Sequence, residues 1–126
     1  MNSPLSGRRV LVVEDEMIVS WLLEDMLAQF GCVVVGPVAR VEQALAVIEA
    51  EAIDAAVLDV NLTGQKSYPV ADALAARGVP FVFSSGYGRD SLPNGYRSVP
   101  VLQKPFHLRD LGHTLAKLLK PKEPSV

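Results

Sequence analysis

At 126 residues, with 49% hydrophobic and 21% charged positions, the chain has the length of one domain and a globular rather than a disordered composition. A net charge of −2, with the twelve Lys and Arg scattered along the chain, gives none of the basic footprint of a nucleic-acid binder. The single cysteine, Cys32, excludes an internal disulfide, no apolar leader precedes Arg9, and no apolar run approaches the roughly 20 residues of a membrane span, so a soluble cytoplasmic protein without membrane or nucleic-acid partners is expected.

Val10-Leu11-Val12-Val13 is short, β-branched and continuous, the pattern of a strand buried on both faces. Met17 to Phe30 follows with Ile18, Leu22, Met26 and Phe30 four apart, which predicts a helix with that face in the core and Gly31 closing it. Trp21 is read as packing near that face. Cys32 to Val35 is a second strand, closed by Gly36-Pro37, and Val41 to Ala50 a second helix with Val41, Leu45 and Ile48 inward. Ala55-Ala56-Val57-Leu58 is a third strand that delivers Asp59 at its C-terminal end. Val70 to Ala76 reads as helix, stopped by Arg77-Gly78. Pro80-Phe81-Val82-Phe83 is a fourth strand running into Ser84-Ser85-Gly86. From Gly88 to Ser98 there is no helical spacing of apolar residues, so a fourth helix is expected to be short or frayed. Val99 to Gln103 is a fifth strand, placed at an edge by Pro100, and Leu108, Leu111, Leu115 and Leu118 mark a last helix. One domain over 8–120 is expected, with a disordered tail at 121–126 and no output domain.

Strands alternating with helices predict an α/β fold: a flavodoxin-like, doubly wound, five-stranded parallel sheet of order 2-1-3-4-5. Chemistry in such a sheet gathers beyond the C-terminal strand ends. Those ends carry Glu14-Asp15-Glu16, Asp59, Ser84-Ser85 and Lys104. The first and third strands are neighbours in this order, which crowds Glu14, Asp15 and Asp59 together. Clustered carboxylates raise one another's pKa unless a cation compensates, and Mg²⁺ suits oxygen ligands at a site that handles phosphate. Asp59 is then a candidate nucleophile toward a phosphoryl group. The metal, Lys104 and the hydroxyl of Ser85 with a nearby N–H would take the three equatorial oxygens. Singly, each residue has a plain structural role: helix caps at Glu14 and Asp15, a turn at Asp59, loop serines, a solvated lysine. Their joint arrival at strand ends in this order argues for chemistry.

Val-Val-Glu-Asp-Glu at 12–16, Leu-Asp-Val-Asn-Leu at 58–62, Phe-Ser-Ser-Gly-Tyr at 83–87 and Gln-Lys-Pro-Phe at 103–106 resemble the receiver domain of two-component response regulators. The resemblance runs from Arg8 to about Leu119. It implies that Asp59 is the phosphoacceptor for a sensor histidine kinase. Asp15 would be a direct Mg²⁺ ligand, Glu14 would act through water, and the backbone carbonyl of Asn61 would complete the set. Ser85, which directly precedes Gly86, aligns with the switch hydroxyl, and Lys104 with the family's lysine, whose peptide to Pro105 is expected to be cis. The family's switch aromatic falls at Val101, which has no ring to swing inward. This departure, with the helix-poor segment after the fourth strand, resembles a subgroup of stand-alone receivers carrying Pro-Phe-x-Phe-Ala-Thr-Gly-Tyr, whose partners are kinases of the HWE or HisKA2 type. The match at 80–87 is partial, since Ser84 and Ser85 replace Ala and Thr. Tyr87 is either a substitute gate at the pocket or a loop tyrosine, and His107 and His113 read as helix-surface residues.

The implied function is a phosphoacceptor, not a turnover enzyme, which changes protein contacts or shuttles phosphate. Two other readings stay open. One is a receiver fold that binds partners without phosphorylation, kept alive by Val101. The other is a haloacid-dehalogenase-type phosphohydrolase, whose Asp-x-Asp-x-Thr loop is approached at 59–63, although Asn61 lacks the acid and the loop follows the wrong strand. A flavin-binding flavodoxin is disfavoured, because the acids at 14–16 would repel its phosphate.

Overall fold

A computed structural model describes residues 5–86, 92–96 and 98–119. Along the chain run β1 (Arg9–Val13), α1 (Met17–Gln29), β2 (Val33–Val38), α2 (Val41–Ala50), β3 (Ala55–Asp59), β4 (Asn61–Leu62), β5 (Gln65–Lys66), α3 (Tyr68–Ala76), β6 (Phe81–Ser85), β7 (Val101–Gln103) and α4 (Leu108–Leu118). Five strands form one parallel sheet in the order β2-β1-β3-β6-β7, which is the expected order for five strands counted along the chain. β4 and β5 form a separate antiparallel hairpin, with Asn61 opposite Lys66 and Leu62 opposite Gln65.

Side chains that alternate along each strand feed two core layers. Leu11, Val13, Ala56, Leu58, Phe81 and Phe83 pack with Val41, Ala44 and Ile48 of α2 and Val70, Ala71 and Leu74 of α3. Val10, Val12, Ala55, Val57 and Val82 pack on the other face with Leu23 and Leu27 of α1 and Leu111 and Leu115 of α4. Both faces being covered is what makes the central strands continuous apolar runs.

Three expectations need correction. The α1 stripe at Ile18, Leu22, Met26 and Phe30 is not the core face. Ser20, Leu23 and Leu27 are buried instead, while Ile18 is 70% and Leu22 51% exposed, and Met26 and Phe30 pack only partly. Trp21, read as packing, is 59% exposed. Apolar residues lie on most of this helix's circumference, so four-residue spacing alone cannot choose the buried face. The second strand does not close at Val35 but continues to Val38 through a cis Gly36–Pro37 peptide. Gly36 sits at φ +90°, where a Cβ would come 2.9 Å from the Val38 nitrogen, so only glycine fits. β2 is an edge strand, where proline is tolerated.

After β6 the described residues hold one 3₁₀ turn, Asn94–Tyr96. The Tyr96 ring stacks on Tyr68 at 5.0 Å and meets Phe83 edge-on at 5.7 Å. Tyr87 and residues 121–126 lie outside the described residues. Among those described, no helix is long and apolar enough to cross a membrane.

Candidate functional site

Pairing of β1 with β3 sets Val13 beside Leu58, so the residues that follow them emerge together. Glu14 is fixed by its N–H donating to the Val38 carbonyl at 2.9 Å, and its side chain is buried. Asp59 ends β3 and is also buried, whereas Asp15 is half-buried. One carboxylate oxygen from each of Glu14, Asp15 and Asp59 lies within 4.8 Å of the others. Lys104 arrives from the far edge. Its backbone N–H donates to the Ser85 carbonyl at 2.7 Å, and its peptide to Pro105 is cis, as expected. The stem reaches across the end of β6 to set Nζ 3.2 Å from Asp59 Oδ2, 3.0 Å from Glu14 Oε1 and 3.7 Å from Glu16 Oε1.

These groups perturb one another. Burial, reinforced by the hydrogen bond and charge of Asp59, pushes the Glu14 carboxyl up to about 7. Burial also works against the Asp15 carboxylate, but the hydroxyl and amide of Thr63, with Asp15's own N–H and the Lys104 charge, outweigh it and hold its pKa below the ordinary value. Burial would lower the Lys104 pKa, and the Glu14 and Asp59 carboxylates reverse that and raise it.

The donor set fits a hard divalent cation. Of the three clustered carboxylates only Glu14 and Asp59 pair with the Lys104 ammonium, and Glu14 Oε1 is buried with that ion pair alone facing it. The Asn61 N–H donates to Asp59 Oδ1 at 3.2 Å, which places the Asn61 backbone beside the cluster. Ser85 is buried at the end of β6, the strand next to Asp59, while Ser84 is the residue in register with Asp59. Val101 lies half-buried opposite Phe83. His107 and His113 are exposed at α4, as expected. Thr63 and Lys66 are participants that the sequence does not announce. Thr63 bonds to Asp15 and Lys66 to the Asn61 side chain. The one available signal was the turn at Gly64, which adopts φ +75°.

A model of the response regulator receiver domain matches residues 10–116. The chain belongs to that family. The receiver is similar to SdrG from Sphingomonas melonis Fr1, with 49% identity over 93% of this chain and 98% of that one and a TM-score of 0.81. The BeF3-activated conformation of SdrG from Pseudomonas melonis Fr1 gives 48% identity over 94% and 99% of the two chains and a TM-score of 0.78. The receiver domain of the sensor histidine kinase PA1611 from Pseudomonas aeruginosa PAO1 has a magnesium ion coordinated in its active-site cleft. It is 26% identical over 92% of this chain and all of that one, with a TM-score of 0.75. The transcriptional regulatory protein PdtaR of Mycobacterium tuberculosis H37Rv is 28% identical over 108 residues, 82% of this chain and 53% of PdtaR. The receiver thus spans about half the length of the curated relatives it matches. It is a receiver domain of a two-component system, built on the expected flavodoxin-like sheet.

Proposed function

We propose that Asp59 accepts a phosphoryl group from a sensor histidine kinase, that Mg²⁺ assists, and that the receiver's protein contacts change as a result. The observation that carries this reading is the convergence of the Glu14, Asp15 and Asp59 oxygens within 4.8 Å with the Lys104 ammonium 3.2 Å from Asp59 Oδ2. An Asp59 oxygen attacks phosphorus as the phosphorus–nitrogen bond of the donor phosphohistidine breaks, and that electron pair returns to the imidazole. Lys104 turns from the carboxylate to a phosphoryl oxygen, and the Ser85 hydroxyl donates to another. Asp15, Asp59 and the Asn61 carbonyl would hold Mg²⁺, with Glu14 acting through water. When bound, the ion supplies charge neutralisation for the transferred group.

The donor docks on α1. Met17, Ile18, Trp21 and Leu22 lie exposed immediately after the acidic run, and a groove lined by Leu22, Met26, Pro105 and Phe106 leads from that helix to Lys104. A phosphohistidine must come within bonding distance of Asp59, and this apolar rim is what its carrier would meet. The Pro-Phe-x-Phe strand at 80–83 supports a kinase of the HWE or HisKA2 type. The dehalogenase reading loses support, since Asp59 ends the third strand of the sheet and the Asn61 side chain is engaged by Lys66.

Intact mass after incubation with a small phosphoryl donor and Mg²⁺ tests the reading. A gain of about 80 Da is expected, absent without metal and absent in Asp59→Asn. Transfer from HWE-type kinases tests the partner. No adduct from any donor would leave phosphorylation-independent binding as the function.

A further inference from the structure

The β4–β5 hairpin lines a shallow cleft together with Asp15 and Glu16. Its base is closed by Ser67, whose N–H and hydroxyl donate to the Val60 carbonyl at 3.0 and 3.2 Å. At its tip, Thr63 donates twice to one oxygen of a residue 48 positions away. Its backbone N–H reaches Asp15 Oδ2 at 2.7 Å, and its hydroxyl bonds the same atom. At its other end the Lys66 ammonium donates to Asn61 Oδ1, across from which the Asn61 N–H holds Asp59.

We propose that Thr63 is a positioning residue of the metal site, fixing the Asp15 carboxylate by occupying Oδ2 so that Oδ1 is held for the cation. The inference rests on the reading that this pocket takes Mg²⁺. Asp15 lies past the end of β1, half-exposed, and the only other residue that bonds its side chain is Thr63, its own backbone N–H being the remaining donor among the described residues. The terminal torsion of an aspartate is soft, so with the Thr63 hydroxyl gone and its backbone N–H left, the carboxylate would sample orientations that do not face Asp59. Two donors on one oxygen remove that freedom before the ion arrives. Groups that hold a ligating carboxylate typically contribute 10- to 100-fold in metal affinity. The opposite possibility is that Thr63 competes with the ion for Asp15, in which case removing it would tighten binding.

Calorimetric titration of the full chain with Mg²⁺ decides between these. Thr63→Ala and the near-isosteric Thr63→Val should each weaken Mg²⁺ binding by about 10-fold or more. Thr63→Ser, which keeps the hydroxyl, should return to within a few-fold of the parent. Val and Ser together keep the test valid if Ala destabilises the hairpin, because a purely structural role would not follow the hydroxyl. Equal or tighter binding by Thr63→Val overturns the proposal. A parent chain that binds no Mg²⁺ at millimolar concentration overturns the metal reading itself, and the role of Thr63 with it.

Discussion

Helices α1 and α4 cover the same face of the sheet, yet they use their apolar residues in opposite ways. In α4 the leucines face inward: Leu111 and Leu115 are fully buried, and the charged Arg109, Asp110 and Lys117 stay outside. In α1 only Ser20, Leu23 and Leu27 are buried, while Met17, Ile18, Trp21 and Leu22 face outward around the pocket rim. A helix that only had to pack would place charge there. The surplus apolar surface of α1 is what the proposed docking of a kinase would use, whereas α4 turns its leucines to the core.

Truncation separates the two most sharply. Leu115→Ala should cost about 2–5 kcal/mol in urea unfolding, and Ile18→Ala no more than about 0.5 kcal/mol. Equal costs would break the comparison. Trp21→Ala should slow transfer from the cognate kinase about tenfold or more, equivalent to about 1.4 kcal/mol. Labelling by a small phosphoryl donor should not change, because α1 does not touch the reacting atoms. An equal loss with both donors would assign Trp21 to the pocket. Where the helices meet, a Cβ on Gly112 would fall 2.6 Å from Phe30 Cζ. Gly112→Ala should lower thermal stability by about 1 kcal/mol, since overpacking exceeds the gain in helix propensity. An unchanged melting temperature would show that the Phe30 ring yields freely.

A smaller effect belongs to the acidic run that precedes α1. The pKa of Glu14 rises on folding from 4.5 to about 7, so the folded chain holds this proton more tightly than the unfolded one. Its contribution is complete below pH 4.5 and is lost as pH rises toward 7. Metal-free unfolding should show this decline, and Glu14→Gln should flatten it. A decline unchanged in the variant would place its origin elsewhere.

Most of the sheet was legible because β1, β3 and β6 are buried on both faces, which leaves unbroken apolar runs ending in chemistry-bearing residues. Asp59 and Lys104 could be found at once, since a strand end fixes where its next residue points. The α1 face was not legible, because spacing by four is satisfied by Ile18 and Leu22 as well as by Leu23 and Leu27. The hairpin escaped because two residues per strand carry no period, so Thr63 looked like part of a polar loop. Pro37 looked like a strand end because an interior strand could not hold it, whereas the edge strand β2 can.

The outward position of Trp21 has an experimental consequence. It is the chain's one tryptophan, and its indole is largely in water in the folded state. Unfolding should move its emission little, whereas a partner seated on α1 would shield the ring and shift the emission toward the blue. The receiver carries its own optical label, one that reports docking rather than folding.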